Sequence, residues 1–127
     1  MTSNPFLGRW RIADMSEWGS EYLDLVVPAF VEFESNGLGS FQFGAVSGFV
    51  DYRVARRADE SVIEWSWEGM NDTDPACGRG RATLVGGELV GHLFIHQSDD
   101  SEFRAVRSVA RRPRSSRRVR GGRDGTV

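Results

Sequence analysis

His92 and His96 are the only two histidines, and their type and spacing are the first in this chain to suggest chemistry. On a helix, residues four apart are neighbours, and two such imidazoles could share a metal ion. The intervening Leu93, Phe94 and Ile95 favour a strand instead. On a strand the two histidines would lie about 13 Å apart, which is too far for one metal. The sequence therefore predicts no metal site and no cofactor.

His96 is the stronger of the two as a catalytic candidate, because it precedes the polar turn at residues 98–101. Asp99 or Asp100 could orient its imidazole, as a carboxylate orients a general base. An acid–base enzyme built on these three residues is therefore one hypothesis. The simpler interpretation is that His96 forms hydrogen bonds within the turn and only shapes it, and we prefer that interpretation.

The segment at residues 61–68 predicts the strand that would position these groups. Its side chains alternate, with Trp65 and Trp67 on one face and Glu64 and Glu68 on the other. Burying two indoles stabilises a fold by several kcal/mol, whereas burying an unpaired carboxylate costs several. We therefore expect the tryptophans to face a core and the glutamates to face water. Residues 69–78 contain Gly, Asn, Asp and Pro, and this composition predicts a loop.

The same alternation recurs along the chain and predicts an all-β fold. Strands are expected over residues 6–13, 29–34, 40–44, 46–56, 61–68, 79–85, 88–97 and 102–109. Helical spacing within residues 16–26 predicts one short helix after the first strand. About eight short strands with hairpin-length connections predict an antiparallel meander that closes into a small barrel. The interior of such a barrel is either filled by side chains or holds one small ligand.

Two sets of motifs in the chain resemble those of known protein families. Gly8-Arg9-Trp10 forms a G-x-W motif on the first strand, which resembles the opening of the calycin barrels, the lipocalins and avidins. In that group the tryptophan packs across the closed end of the barrel, so the resemblance implies a calycin-like barrel.

A second set of motifs is similar to a family of short bacterial proteins of unassigned function. It consists of FQFGAVSG with Asp51, EWSWEG, GRG, GHLFIH, DDS and Phe103, and it covers most of residues 10–107. This resemblance implies a shared fold and gives no chemistry.

The leading hypothesis for function is binding of a small, partly apolar ligand inside the barrel. Six aromatic side chains are expected to line the interior: Trp10, Phe33, Phe43, Phe49, Trp65 and Trp67. Asp51 and His96 are the expected polar anchors. A third hypothesis, beside the acid–base enzyme, is an interaction module with a filled barrel that forms a homodimer. Phe30, Val90 and Phe94 would then form its apolar outer patch.

Charge divides the chain into two parts. The residues up to Phe103 include seventeen acidic residues and seven arginines, a difference of −10, whereas those from Arg104 onward include nine arginines and one aspartate, a difference of +8. We predict a barrel domain at residues 1–109 and a disordered Arg-rich tail at residues 110–127. The tail has no aromatic residue for base stacking, so any contact with nucleic acid would be weak and non-specific, and we prefer the interpretation that the tail is a solvated extension.

The compartment follows from two further features. Cys77 is the only cysteine, so an internal disulfide is excluded, and a reducing compartment is expected. No apolar segment approaches the roughly 20 residues of a membrane span, and the first residues show no signal-peptide pattern. We therefore expect a cytoplasmic protein without a membrane partner.

Overall fold

Buried and exposed side chains alternate along the strands of the computed structural model, which describes residues 4–108. In the strand that contains Trp65 and Trp67, both indoles are buried while Glu64 and Glu68 are exposed. A sheet with one apolar face must cover that face, and an antiparallel sheet of this size covers it by closing on itself. The predicted orientation of the tryptophans and glutamates is confirmed.

Eight antiparallel strands and one short helix make up the fold. Their order is β1 (Gly8–Met15), α1 (Ser20–Leu23), β2 (Phe30–Phe33), β3 (Leu38–Phe43), β4 (Val46–Arg57), β5 (Glu60–Asn71), β6 (Asp74–Val85), β7 (Glu88–Ile95) and β8 (Asp100–Arg107). Each strand pairs with the next in the chain, and β8 pairs with β1 to close the barrel. The predicted all-β meander, its closure and the helix after the first strand are confirmed.

Side chains close both ends of the barrel. Where β1 begins, Phe6 is buried and its carbonyl accepts a hydrogen bond of 2.9 Å from the indole Nε1 of Trp10. Where β1 ends, α1 inserts the buried side chain of Leu23, and the Leu23 carbonyl accepts a hydrogen bond of 2.8 Å from Gly44 N. The core therefore continues from the barrel interior into both caps.

The seam between β1 and β8 contains a shift in register between Ile12 and Asp14. A bulge of this kind inserts one extra residue and bends the strand. Here it changes the alternation, so that Ile12 and Met15 are buried while Asp14 is exposed. Asp14 is thereby free to pair with Arg104 on the outside of β8.

The prediction of a loop over residues 69–78 was wrong. β5 extends to Asn71 and β6 begins at Asp74, so only a tight turn separates them. Gly69 and Gly78 lie within these strands at points of close backbone contact. A Cβ on either residue would lie 1.9 Å from a carbonyl oxygen, of Ser47 and Phe94 respectively. Glycine is used here for close strand packing, not to interrupt the strand.

The predicted Arg-rich tail falls outside the described residues. Within those residues there is no helix both long and apolar enough to cross a membrane.

Candidate functional site

Five of the aromatic residues predicted to line a ligand site do face the barrel interior. They are Trp10, Phe33, Phe43, Trp65 and Trp67, and all five are buried. Their rings contact one another and their neighbours: the ring centroids of Phe33 and Trp65 are 5.4 Å apart, and those of Phe41 and Trp67 are 4.9 Å apart. The cavity among the core side chains, bordered by Phe43 and Trp65 and their apolar neighbours, measures about 10 Å³. That is roughly the space of one water molecule, so the interior has no room for a larger ligand.

Phe49 was expected inside the barrel, and that expectation was wrong. It lies on the outer face of β4 with 76% of its surface exposed. The inward positions of β4 belong to Gly48, Val50 and Tyr52. Gly48 is required inside because a Cβ there would lie 2.6 Å from the ring of Phe41 and 2.7 Å from that of Trp67. The bulky tryptophan on β5 therefore determines which face of β4 points inward.

On the outside of the barrel, the structure brings Phe49, Asp51 and His96 to one groove. We call it the Phe49 groove; it measures about 660 Å³, and its lining includes Phe49, Asp51, Glu68, Cys77, Arg79 and His96. The edge of Trp67 and the half-exposed Leu38 complete its walls. Three residues predicted to act inside the barrel thus meet on its surface.

Strand register explains how the Phe49 groove is built. Phe49 lies opposite Glu68, and Glu68 lies opposite Cys77 on the next strand. The main-chain N–H of His96 then donates to the Cys77 carbonyl at 2.7 Å, which places His96 beside Cys77. Side chains directly opposite in antiparallel strands have Cβ atoms about 5 Å apart. An aromatic ring on β4, a carboxylate on β5, a thiol on β6 and the imidazole that follows β7 therefore lie side by side.

Arg79 separates the Phe49 groove from a second groove on the same face. We call this one the Arg81 groove; it measures about 500 Å³ and is lined by Glu64, Trp65, Arg79, Gly80, Arg81 and Phe94. The guanidinium carbon of Arg81 lies 5.9 Å from the centre of the Phe94 ring. The two grooves together occupy the outer face of β4 to β7.

The carboxylate that was expected beside His96 contacts the other histidine. Nε2 of His92 lies 2.5 Å from Oδ2 of Asp100. The pairing is diagonal: in the β7–β8 register Phe94 lies opposite Asp100, and His92 lies opposite Glu102. His96 is exposed just after β7, and its ring forms no hydrogen bond with any residue in 4–108. The one imidazole–carboxylate pair in this part of the chain is thus His92–Asp100, which sequence spacing alone did not indicate.

Most arginines elsewhere on the barrel are matched by carboxylates. Arg9 pairs with Glu32 at 2.9 Å, and Arg104 lies 2.9 Å from Asp14. The hydrogen bonds to Asp14 and then to Glu88 raise the pKa of Arg104 above its ordinary value. These exposed pairs hold neighbouring strands together weakly. Among residues 4–108, Arg79 and Arg81 of the two grooves form no such pair, and neither do Arg53 and Arg56.

No cluster of three or more His, Cys, Asp or Glu side chains within residues 4–108 is arranged to hold a metal ion. The grooves offer instead apolar surface, cationic donors and carboxylate acceptors. Such a combination orients a ligand by a few polar contacts while most of its surface lies against apolar side chains.

Comparison of the chain with family models, with curated proteins and with solved structures returned no match.

Proposed function

We propose that this protein binds a small, partly apolar ligand in the Phe49 groove on the outside of its barrel. One observation carries the proposal: the ring of Phe49 is 76% exposed, on a long paired strand, at the edge of a groove of about 660 Å³. Ligand sites commonly measure roughly 300–1,000 Å³. Leu38, half of whose surface is exposed, adds apolar surface beside Phe49.

The polar side chains of the groove would orient such a ligand. Arg79 on β6 and His96 after β7 supply donors, while Asp51 and Glu68 supply acceptors. All of them project from paired strands or from a strand end, so the protein backbone does not have to reorganise on binding. Asp51 and His96 keep the anchoring role proposed for them from the sequence, at a site outside the barrel.

The wider classification belongs to the same proposal. We propose a cytoplasmic, calycin-like barrel protein. The position of Trp10 supports the calycin resemblance, because its buried indole packs where β1 begins and donates a hydrogen bond to the carbonyl of Phe6, which closes that end.

The test is a titration with N-phenyl-1-naphthylamine, a fluorescent probe that joins an aromatic body to an amine and carries no oxyanion. We expect saturable binding with amide shift changes at residues of the Phe49 groove in ¹H–¹⁵N spectra. Phe49→Ser should weaken the probe about tenfold, because the ring no longer covers its aromatic body. Val85→Ser is the matched control, since Val85 is also exposed and does not line either groove.

Two results would contradict the proposal. One is equal affinity of the wild type and Phe49→Ser for the probe. The other is a set of shift changes distributed over the whole barrel without a maximum at the Phe49 groove.

A second candidate function is self-association through the same face. The observation that favours it is the charge balance of the face within an acidic barrel. Residues 4–108 contain seventeen acidic side chains and nine arginines, whereas the two grooves and Arg53 beside them carry three of each sign. The six residues are Arg53, Arg79, Arg81, Asp51, Glu64 and Glu68.

A two-fold axis near the middle of β4 would place Asp51 of one copy opposite Arg53 of the other. Phe49 would then supply the apolar contact. Phe30, one of the three outer residues first expected to do so, is less suited to it, because the guanidinium of Arg9 lies 4.0 Å from its ring centre and covers it. Light scattering over a wide range of concentration separates the two candidates. A dimer that Phe49→Ser dissociates favours self-association, and a monomer throughout leaves ligand binding.

A further inference from the structure

Arg79 and Arg81 are two cations without an anionic partner in a predominantly acidic barrel. Within residues 4–108, no carboxylate oxygen lies within salt-bridge distance of either guanidinium, although ion pairs form at four other arginines. The reason is visible for Arg81. Glu64 lies directly opposite it on β5, yet the Glu64 carboxylate bonds Arg57 at 3.2 Å.

The two arginines project side by side from one strand. They are separated by the single residue Gly80, so both point outward, about 7 Å apart along β6. Their side chains are long enough for both guanidinium groups to reach one ligand group between them. Guanidinium groups bind phosphate and carboxylate oxygens through paired, charge-assisted hydrogen bonds, and this fork geometry suits an oxyanion.

A third polar group and an aromatic surface complete the arrangement. His92 lies opposite Arg81 on β7, and the bond from its Nε2 to Asp100 fixes the orientation of the imidazole. The His92 ring stacks beside the ring of Phe94, with centroids 4.5 Å apart and planes inclined by 17°. Arg81 also approaches Phe94. The two rings lie face to face, so His92 supports one side of Phe94, and Phe94, still 36% exposed, is the aromatic surface that the two arginines border.

We propose that the Arg81 groove is a binding site for an oxyanion carried on a planar aromatic group. The phosphate or carboxylate lies between Arg79 and Arg81, and the aromatic part lies against the exposed part of Phe94, which His92 holds in place. This site does not require a ligand in the Phe49 groove, since only Arg79 borders both. Because the barrel as a whole is acidic, long-range attraction does not favour anions, and binding depends on direct contact with these two arginines.

The experiment titrates the full-length chain with phenyl phosphate, inorganic phosphate and benzoate, and follows amide shifts in ¹H–¹⁵N spectra. We expect saturable changes that are largest at residues of the Arg81 groove, and tighter binding of phenyl phosphate than of inorganic phosphate. The Arg81→Gln variant should weaken phenyl phosphate about tenfold, the effect of losing a charge-assisted hydrogen bond. Phe94→Leu should remove the advantage of phenyl phosphate over inorganic phosphate.

Arg56→Gln is the matched control, because Arg56 is an exposed arginine on β4 that lines neither groove. It removes the same charge and should leave the affinity for phenyl phosphate unchanged. Equal losses in Arg56→Gln and Arg81→Gln would overturn the proposal, since they would show only a response to net charge. Shifts that appear only in the Arg-rich tail, or no saturation at millimolar probe, would overturn it as well.

The relative affinities of phenyl phosphate and benzoate identify which oxyanion the site prefers, and either order supports the proposal. The outcome is also separable from that of the Phe49 groove. Phe49→Ser should leave phenyl phosphate binding in the Arg81 groove unchanged, so one site can fail while the other stands.

Discussion

The indole of Trp65 occupies the space that a side chain on Gly80 would need. The two residues are cross-strand partners on β5 and β6. A Cβ on residue 80 would lie 2.2 Å from Cε2 of the indole, well inside van der Waals contact. Glycine at position 80 is therefore part of the packing of Trp65. Within the GRG motif it has a structural role, while Arg79 and Arg81 on either side of it point outward.

The variant Gly80→Ala is expected to destabilise the fold by about 2 kcal/mol, because the buried indole must move or strain to admit a methyl group. Chemical denaturation monitored by tryptophan fluorescence measures the change. Gly19→Ala is the control: a Cβ on residue 19 would have no atom of residues 4–108 within 4 Å, apart from its chain neighbours, and the backbone there is extended, with φ of −79°. A Gly80→Ala protein as stable as the wild type would contradict this packing.

Trp65 and Trp67 are both buried on β5, but they differ in the hydrogen bonding of the indole Nε1. Nε1 of Trp67 donates to the Phe94 carbonyl at 3.2 Å, whereas Nε1 of Trp65 is buried without a hydrogen-bond partner in residues 4–108. Replacement by Phe removes a similar volume at both sites. We expect Trp67→Phe to cost about 1 kcal/mol more than Trp65→Phe, since only Trp67 loses a hydrogen bond. Equal unfolding free energies for the two variants in urea would refute the difference.

Ser101 is the one buried polar side chain of the barrel within residues 4–108, with 1% of its surface exposed. Its Oγ accepts from the main-chain N–H of Glu17 at 3.1 Å and donates to the Glu102 carbonyl at 2.9 Å. In return, the N–H of Glu102 donates to Oγ of Ser16 at 3.0 Å. These bonds join the end of β1 to the start of β8.

The variant Ser101→Ala should lower the free energy of unfolding by about 1–2 kcal/mol, because the N–H of Glu17 loses its acceptor. Thermal unfolding followed by circular dichroism provides the measurement. Ser66→Ala is the comparison, since Ser66 is an exposed strand serine on β5, and its loss should change stability by less than about 0.5 kcal/mol. Similar midpoints for both variants would argue against a seam held by Ser101.

Phe49 should contribute little to folding despite its size. Because its ring is 76% exposed, Phe49→Ser is expected to change stability by no more than about 0.5 kcal/mol. The urea midpoint measures it, with the buried Phe43→Ser as the contrasting variant, whose loss should cost several kcal/mol. A large loss of stability in Phe49→Ser would show that its ring is covered in solution, as in the self-associated form.

The architecture of this barrel can be predicted from residue types and their alternation. Strict alternation around Trp65 and Trp67, together with short turns, predicted an antiparallel meander that closes, and the barrel has that form. The same alternation predicted that Glu64 and Glu68 lie outside, because burying the indoles is favourable whereas burying unpaired carboxylates is costly. These features depend on local periodicity and on residue type, which a single strand already displays.

Which face of β4 lies inside, and which polar groups meet, depends on contacts between strands. Alternation places Phe49 and Asp51 on the same face of β4. That face is the outer one because Gly48, on the opposite face, packs against the ring of Trp67 and leaves no space there for a side chain. The pairing of His92 with Asp100 depends on the β7–β8 register, and the position of His96 beside Cys77 depends on the pairing of β6 with β7. The interior is filled because aromatic residues from several strands converge there. The two grooves lie on the outside, where β4 to β7 bring Phe49, Arg79 and Arg81 onto one surface.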